Sequence, residues 1–226
     1  MSDKAGNVYG TAEGGDNGLG FAYKLSPKGH DWVFTSLYSF AGGYNGFTPY
    51  GLIVGPDGAL YGAALGGTQN CGYNGIEYCG LVFRLRPSPN ACRTSQCSWT
   101  EEVLYRFTIS DAWGPALLIF DQGGNLYGTA LGDASGYTTV LFELTPSNGG
   151  WTEKVLYHFN DGDNPEELLL GNDGNFCSIS SDRIFQVAPS GNGWTENLLY
   201  TFQGSQGDGE YAKNLLQDSS GNLYGD

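Results

Sequence analysis

Helical periodicity is the first thing this sequence lacks. No window spaces its apolar residues at the three- and four-residue intervals of an amphipathic helix for long enough to specify one. Basic residues are also scarce: ten Lys and Arg stand against 24 Asp and Glu, giving a net charge of −14 and a pI near 4.3. Such a surface repels phosphate backbones and anionic lipid, so neither nucleic acid nor a membrane surface is an expected partner. Apolar runs are short, Ala116-Leu117-Leu118-Ile119-Phe120 being among the longest, and none suits a transmembrane helix. No signal peptide is visible at the N-terminus. Histidine occurs only as His30 and His158.

What is abundant points the other way. There are 37 glycines, and 14% of the chain is aromatic. Tyr and Phe favour strands, and glycine supplies tight turns. A hydrophobic share of 40% over 226 residues supports a substantial core and excludes a disordered chain. All-β folds of this length are often one domain.

A local pattern recurs about every fifty residues. It reads Gly6-Asn7-Val8-Tyr9-Gly10-Thr11, Gly58-Ala59-Leu60-Tyr61-Gly62-Ala63, Gly124-Asn125-Leu126-Tyr127-Gly128-Thr129, a worn Gly174-Asn175-Phe176-Cys177-Ser178, and Gly221-Asn222-Leu223-Tyr224-Gly225. Each copy sits within four expected strands. A short apolar run comes first: Tyr50–Val54, Ala116–Phe120, Glu167–Leu170 and Asn214–Leu216. A Gly-rich turn such as Pro56-Asp57-Gly58 leads into the repeated strand. The third strand alternates, as in Val82-Phe83-Arg84-Leu85-Arg86, and a proline (Pro27, Pro87, Pro146, Pro189) is expected to end it. The fourth runs Trp99–Phe107, Trp151–Phe159 and Trp194–Phe202, with a divergent Trp32–Phe40. Its alternation implies one covered and one wet face.

Four antiparallel strands per fifty residues is the blade of a β-propeller. The expected fold is therefore all-β: a β-propeller-type tandem repeat of four-stranded antiparallel blades, about four blades plus a partial one, in a single domain spanning 1–226. The repeats fall near 1–46, 47–112, 113–163, 164–210 and a partial 211–226. A solenoid of hairpins is the alternative. Both ends cut a repeat. The last strand could close a ring onto the first blade, but Gly221–Asp226 duplicates a strand that Gly6–Thr11 already supplies. A piece of a longer array is the expected reading.

Gly-Asn-Leu-Tyr-Gly-Thr, then Phe-x-Leu-x-Pro, then Val-Leu-Tyr-x-Phe resembles the Gloeo/Verruco (GloVer) tandem repeat family. Leu141–Pro146 and Val155–Phe159 are the best copies, and the resemblance covers essentially the whole chain. It implies a propeller-like architecture and an extracellular or cell-surface location, and it carries no catalytic residues. The segment Phe176–Arg183 departs from the pattern by lacking its Gly-Gly loop.

Cys71 and Cys79 bracket one insertion of the second repeat, Cys92 and Cys97 another. Two local disulfides fit these spacings better than a four-cysteine zinc site, and imply an oxidising compartment. Cys177 takes a Tyr position and reads as a small buried hydrophobe.

No catalytic constellation emerges. His158 shares its strand position with Ser39, Arg106 and Thr201, which marks a surface site, and His30 lies in a turn. Glu101, Glu153 and Glu196 repeat at equivalent places, so an exposed strand face is expected of them. Asp161-Gly162-Asp163-Asn164 could ligate calcium, but Pro165 interrupts the spacing and plain turn chemistry is the better reading. No cofactor and no metal ligands are assigned. Arg84, Arg86, Arg93 and Arg106 are expected to offset Glu101 and Glu102 across strands. Trp99, Trp151 and Trp194 fall at one repeat position and read as packing residues. Trp113 has no aromatic counterpart in the aligned loops. With Tyr73 and Tyr78 of the insertion it is the candidate ligand contact, since function in repeat folds concentrates in unrepeated insertions.

The function expected from these residues is a non-enzymatic extracytoplasmic module that binds a carbohydrate, another ligand or a protein partner, or serves surface display. The alternative is a propeller enzyme, lyase- or glycoside-hydrolase-like, acting on an extracellular substrate. The repeated strand is similar to the Gly-Asn-Leu-Trp-Phe-Thr strand of streptogramin lyase propellers, but their histidine-centred motif has no match here.

Overall fold

The computed structural model describes residues 1–69, 71, 77–88, 99–132, 138–160, 164–204, 207–209 and 212–225. Among them there is no α-helix, and no helix long and apolar enough to cross a membrane. The architecture is a β-propeller. The first sheet joins β1 (Val8–Ala12), β2 (Phe21–Lys28) and β3 (Asp31–Ser39). The second joins β4 (Phe47–Val54), β5 (Leu60–Leu65), β6 (Leu81–Pro87) and β7 (Trp99–Arg106). The third joins β8 (Trp113–Phe120), β9 (Leu126–Leu131), β10 (Val140–Ser147) and β11 (Gly150–His158). The fourth joins β12 (Leu169–Leu170), β13 (Phe176–Ser180), β14 (Arg183–Ser190) and β15 (Gly193–Thr201). A hairpin of β16 (Leu216–Gln217) and β17 (Leu223–Tyr224) forms its own sheet, separate from β1–β3. Every pairing of these strands is antiparallel and follows chain order.

The seams between blades are the core. One phenylalanine from the end of each blade meets one from the third strand of the next. Phe40 reaches Phe83 with ring centroids 5.0 Å apart, Phe107 reaches Phe142 at 5.1 Å, and Phe159 reaches Phe185 at 5.7 Å. All six are essentially inaccessible to solvent. The Tyr-x-Phe motif holds each donor ring: Tyr38, Tyr105 and Tyr157 stand edge-on to Phe40, Phe107 and Phe159. Burying such rings on both faces of a blade is what allows thin sheets to stack without a helical layer.

Each turn before the repeated strand is fastened by a single aspartate. Asp3, Asp121 and Asp218 take its first position and accept hydrogen bonds from the amide and side chain of Asn7, Asn125 and Asn222. Asp57 and Asp173 take its third. The tyrosine of the repeat donates to the same carboxylate in four blades, from Tyr9, Tyr61, Tyr127 and Tyr224. Where aspartate sits third, the first position is Gly55 or Gly171. A Cβ on Gly171 would stand 2.5 Å from the Asp173 carboxylate, and one on Gly55 would enter the Tyr61 ring.

The prolines fall at the ends of the third strands, Pro87 as the last residue and Pro27, Pro146 and Pro189 one residue before the last, and each pairs with the tryptophan of the fourth, as Pro27↔Trp32, Pro87↔Trp99, Pro146↔Trp151 and Pro189↔Trp194. Two expectations are corrected. Glu101, Glu153 and Glu196 do not form an exposed face. In a propeller both faces of an inner blade are covered, so these side chains are half-buried at the seams. Glu101 and Glu153 each keep one buried carboxylate oxygen without a hydrogen bond. Two of the first strands, β4 and β8, begin earlier than the apolar runs, at Phe47 and Trp113, because bulges interrupt their alternation, whereas β12 and β16 begin two residues later than expected, at Leu169 and Leu216.

Candidate functional site

The two ends of the propeller differ. One carries the short aspartate-fastened turns. The other carries the longer loops between second and third strands and the connections between blades, and here the first strands β4 and β8 begin. Both strands are doubly bulged, with register shifts at Phe47/Pro49 and Tyr50/Ile53 in β4 and at Trp113/Ala116 and Ala116/Ile119 in β8. Left-handed residues mark the bulges: Thr48 (φ 46°) and Gly114 (φ 61°) at the first, Gly51 (φ 51°) and Leu117 (φ 46°) at the second. Glycine tolerates this conformation; Thr and Leu are strained in it.

Between these strands lies a cavity of about 620 Å³. Its wall is aromatic and aliphatic, formed chiefly by Phe47, Tyr50, Tyr78, Trp113, Leu117 and Leu131. Its polar lining residues are Glu77, Thr129, Thr139 and Asn164, the two threonines being buried. The Thr139 hydroxyl donates to Asn164 Oδ1 at 2.8 Å. Tyr78 stands edge-on to Phe47 with centroids 5.5 Å apart, and the Gln69 amide donates to its hydroxyl at 3.3 Å. The Cys71–Cys79 disulfide, with Cα atoms 5.2 Å apart, closes the loop that carries Glu77 and Tyr78. Glycines permit close packing beneath: Gly80 lies against Pro115, where a Cβ would clash with the proline ring.

The structure thus places Trp113 and Tyr78 in one cavity. Tyr73, Cys92 and Cys97 lie outside the described residues, as do Arg93 and the acidic run 161–163. Among the described residues no group of three or more His, Cys, Asp or Glu is placed to hold a metal ion. Trp113 is not unique in its position: Phe47 pairs with Leu65 as Trp113 pairs with Leu131, so two successive blades send an aromatic residue to the same place. The sequence carries that signal as an aromatic two residues before proline, in Phe47-Thr48-Pro49 and Trp113-Gly114-Pro115. Glu77, Tyr50 and Asn164 have no such marker.

Other groups stand away from the cavity. His30 and His158 are exposed, and Trp99, Trp151 and Trp194 pack against seam cores. Arg84 donates to Glu102, and Arg86 reaches Asp57 at 2.5 Å, at the end bearing the short turns. Glu101 accepts from the Tyr38 hydroxyl of the preceding blade at 2.9 Å. Burial pushes its carboxyl up to about 7, against the pull of that bond and of Arg106. Glu153 also rises to about 7 through burial, reinforced by Asp111. The same burial raises the Tyr38 and Tyr105 hydroxyls, beside Glu101 and Asp111 respectively.

These features define a β-propeller with an apolar, aromatic-walled cavity at its loop-bearing end. No protein-family model and no curated protein matches the chain. Solved structures do. A putative gluconolactonase matches at 18% identity with a TM-score of 0.56, over 93% of this chain and 68% of that one. A putative oxidoreductase (glucose dehydrogenase) from Thermus thermophilus matches at 18% with a TM-score of 0.61, over 97% and 72%. A gluconolactonase from Xanthomonas campestris matches at 14% with a TM-score of 0.55, over 96% and 67%. At these identities the likeness establishes the fold. It also corrects the expectation of a non-enzymatic module, because the propellers this chain resembles are described as enzymes, in line with the alternative reading.

Proposed function

We propose that the chain is an enzyme-type propeller that hydrolyses a small cyclic sugar derivative, a lactone being the substrate class that best suits the site. The observation that carries this reading is the cavity: an aromatic box of about 620 Å³ with one carboxylate, Glu77, among its described lining. Aromatic walls at Phe47, Tyr50, Tyr78 and Trp113 suit the apolar C–H face of a sugar ring. Glu77 is the general base. It takes a proton from water as the water oxygen adds to the lactone carbonyl carbon. The ring C–O bond then breaks, and the proton passes to the departing alkoxide, leaving a hydroxy acid. Asn164, oriented by Thr139, supplies a polar contact in the lining. The names of the structural neighbours support the substrate class, and the repeat motif supports membership of the GloVer-type repeats. The Cys71–Cys79 disulfide supports an oxidising, extracytoplasmic setting.

The test is acid release from five- and six-membered aldonolactones at constant pH. Glu77→Gln is expected to lower kcat by about 10²–10⁴-fold. Trp113→Ala is expected to raise KM with a smaller effect on kcat. Wild-type rates no higher than spontaneous hydrolysis for every lactone would overturn the reading.

A further inference from the structure

Beside the aromatic cavity lies a second one of about 280 Å³, lined by Glu166, Glu167, Lys213, Asn214, Ala212 and Ile179 together with Leu117. The two chambers differ in chemistry. The first presents aromatic rings; the second is lined by two glutamates and one lysine, and the Glu167 carboxylate already accepts from the Leu215 amide, which leaves Glu166 and Lys213 as its other charged groups. The repeat explains the contrast. Tyr50, Ala116, Glu166 and Lys213 occupy one repeat position, within β4 and β8 and just ahead of β12 and β16, three residues before the partner of the repeat tyrosine or its substitute, as Ile53↔Tyr61, Ile119↔Tyr127, Leu169↔Cys177 and Leu216↔Tyr224 show.

Among the described residues, Leu117 is the one side chain that lines both chambers. Its backbone is left-handed, at φ 46°. The residues at the same position in the second and last repeats are Gly51 (φ 51°) and Asn214 (φ 53°), the two types that adopt this conformation most readily. Leucine there is strained, and strain of this kind persists where the surrounding structure enforces it, typically at binding sites. Its neighbour Leu118 packs into the seam core, so Leu117 is the side chain left to face the chambers.

We infer that Leu117 is a specificity-determining residue. It walls the aromatic chamber off from the charged one and so restricts the aromatic chamber to compact, uncharged ligands. The inference rests on the reading of the aromatic chamber as the binding site and narrows its substrate class: a neutral cyclic molecule without a charged arm. Shortening residue 117 joins the chambers, and a ligand with an apolar head and a carboxylate arm can then span from Trp113 to Lys213.

The experiment follows Trp113 fluorescence on titration with two probes, benzyl alcohol and 4-phenylbutyrate, using Trp113→Phe of each variant to subtract the other tryptophans. For the wild type, benzyl alcohol is expected to bind at least as tightly as 4-phenylbutyrate. In Leu117→Gly, 4-phenylbutyrate is expected to bind about tenfold more tightly while benzyl alcohol changes less than about twofold. Adding Lys213→Ala should remove the gain. Leu117→Asn, which keeps a side chain suited to the backbone, should give a smaller gain, and both variants should melt no lower than wild type. An unchanged preference in Leu117→Gly, or a gain that survives Lys213→Ala, overturns the role of Leu117 and leaves the cavity reading standing. No binding of either probe to the wild type overturns both.

Discussion

At the level of single residues, the seam glutamates make the propeller sensitive to pH. An unfolded glutamate keeps a pKa near 4.5, whereas burial raises Glu101 and Glu153 to about 7 in the folded chain. Between those values the folded state holds protons that the unfolded chain releases. Their contribution is therefore fully favourable below about pH 4.5 and is lost as the pH climbs through 7. Seen from these two groups alone, the protein should resist urea better at about pH 5.5 than at about pH 8, and Glu101→Gln with Glu153→Gln should flatten that difference. Melting curves at the two pH values check it; a pH dependence that is unchanged in the double variant would refute the assignment. The turn glycines give a second test. Gly55→Ala forces a methyl group into the Tyr61 ring and should cost about 1–3 kcal/mol in a urea melt. Gly58→Ala meets no atom, and its penalty comes only from its φ of 76°.

Elements are legible in the sequence to different degrees. The Gly-Asn-Leu-Tyr-Gly pattern announces itself by recurrence, and each of its five copies contains a strand: β1, β5, β9, β13 and β17. The first strands β4 and β8 read short, because two bulges in each break the alternation that identifies a strand, and this hides Phe47 as the counterpart of Trp113. The aspartate of each turn leaves no linear motif because it moves between two positions, and only the hydrogen bonds reveal one role. Glu101 and its siblings mislead for a different reason. Alternation separates the two faces of a strand but does not say that a neighbouring blade covers both. The cavity loop carries its own prediction. Its disulfide joins cysteines eight residues apart, and removing it by Cys71→Ser with Cys79→Ser should cost about 2 kcal/mol or less in a urea melt. The same variant should show a raised KM for substrate, since Glu77 and Tyr78 lose their frame.

For the whole molecule, the seams decide stability. Trp151 packs against the core between the second and third blades, whereas Trp32 is 54% exposed and Phe34 is 56% exposed on the face of the first sheet. Trp151→Ala should therefore cost about 3–5 kcal/mol, and Trp32→Ala less than about 1 kcal/mol, in urea melts. Similar losses would contradict a stack held by buried seams. The fold is largely readable from composition and repetition, whereas the cavity needs coordinates: it arises where bulged strands from successive blades converge, and no linear motif records Glu77 beside Trp113.

The most direct test of this account is the rate of acid release from glucono-1,5-lactone by the wild type and by Glu77→Gln under identical conditions. The wild type should turn the lactone over above the spontaneous rate, and Glu77→Gln should lose that turnover with an unchanged melting temperature. Equal rates in the two proteins, or no turnover by either, would contradict it.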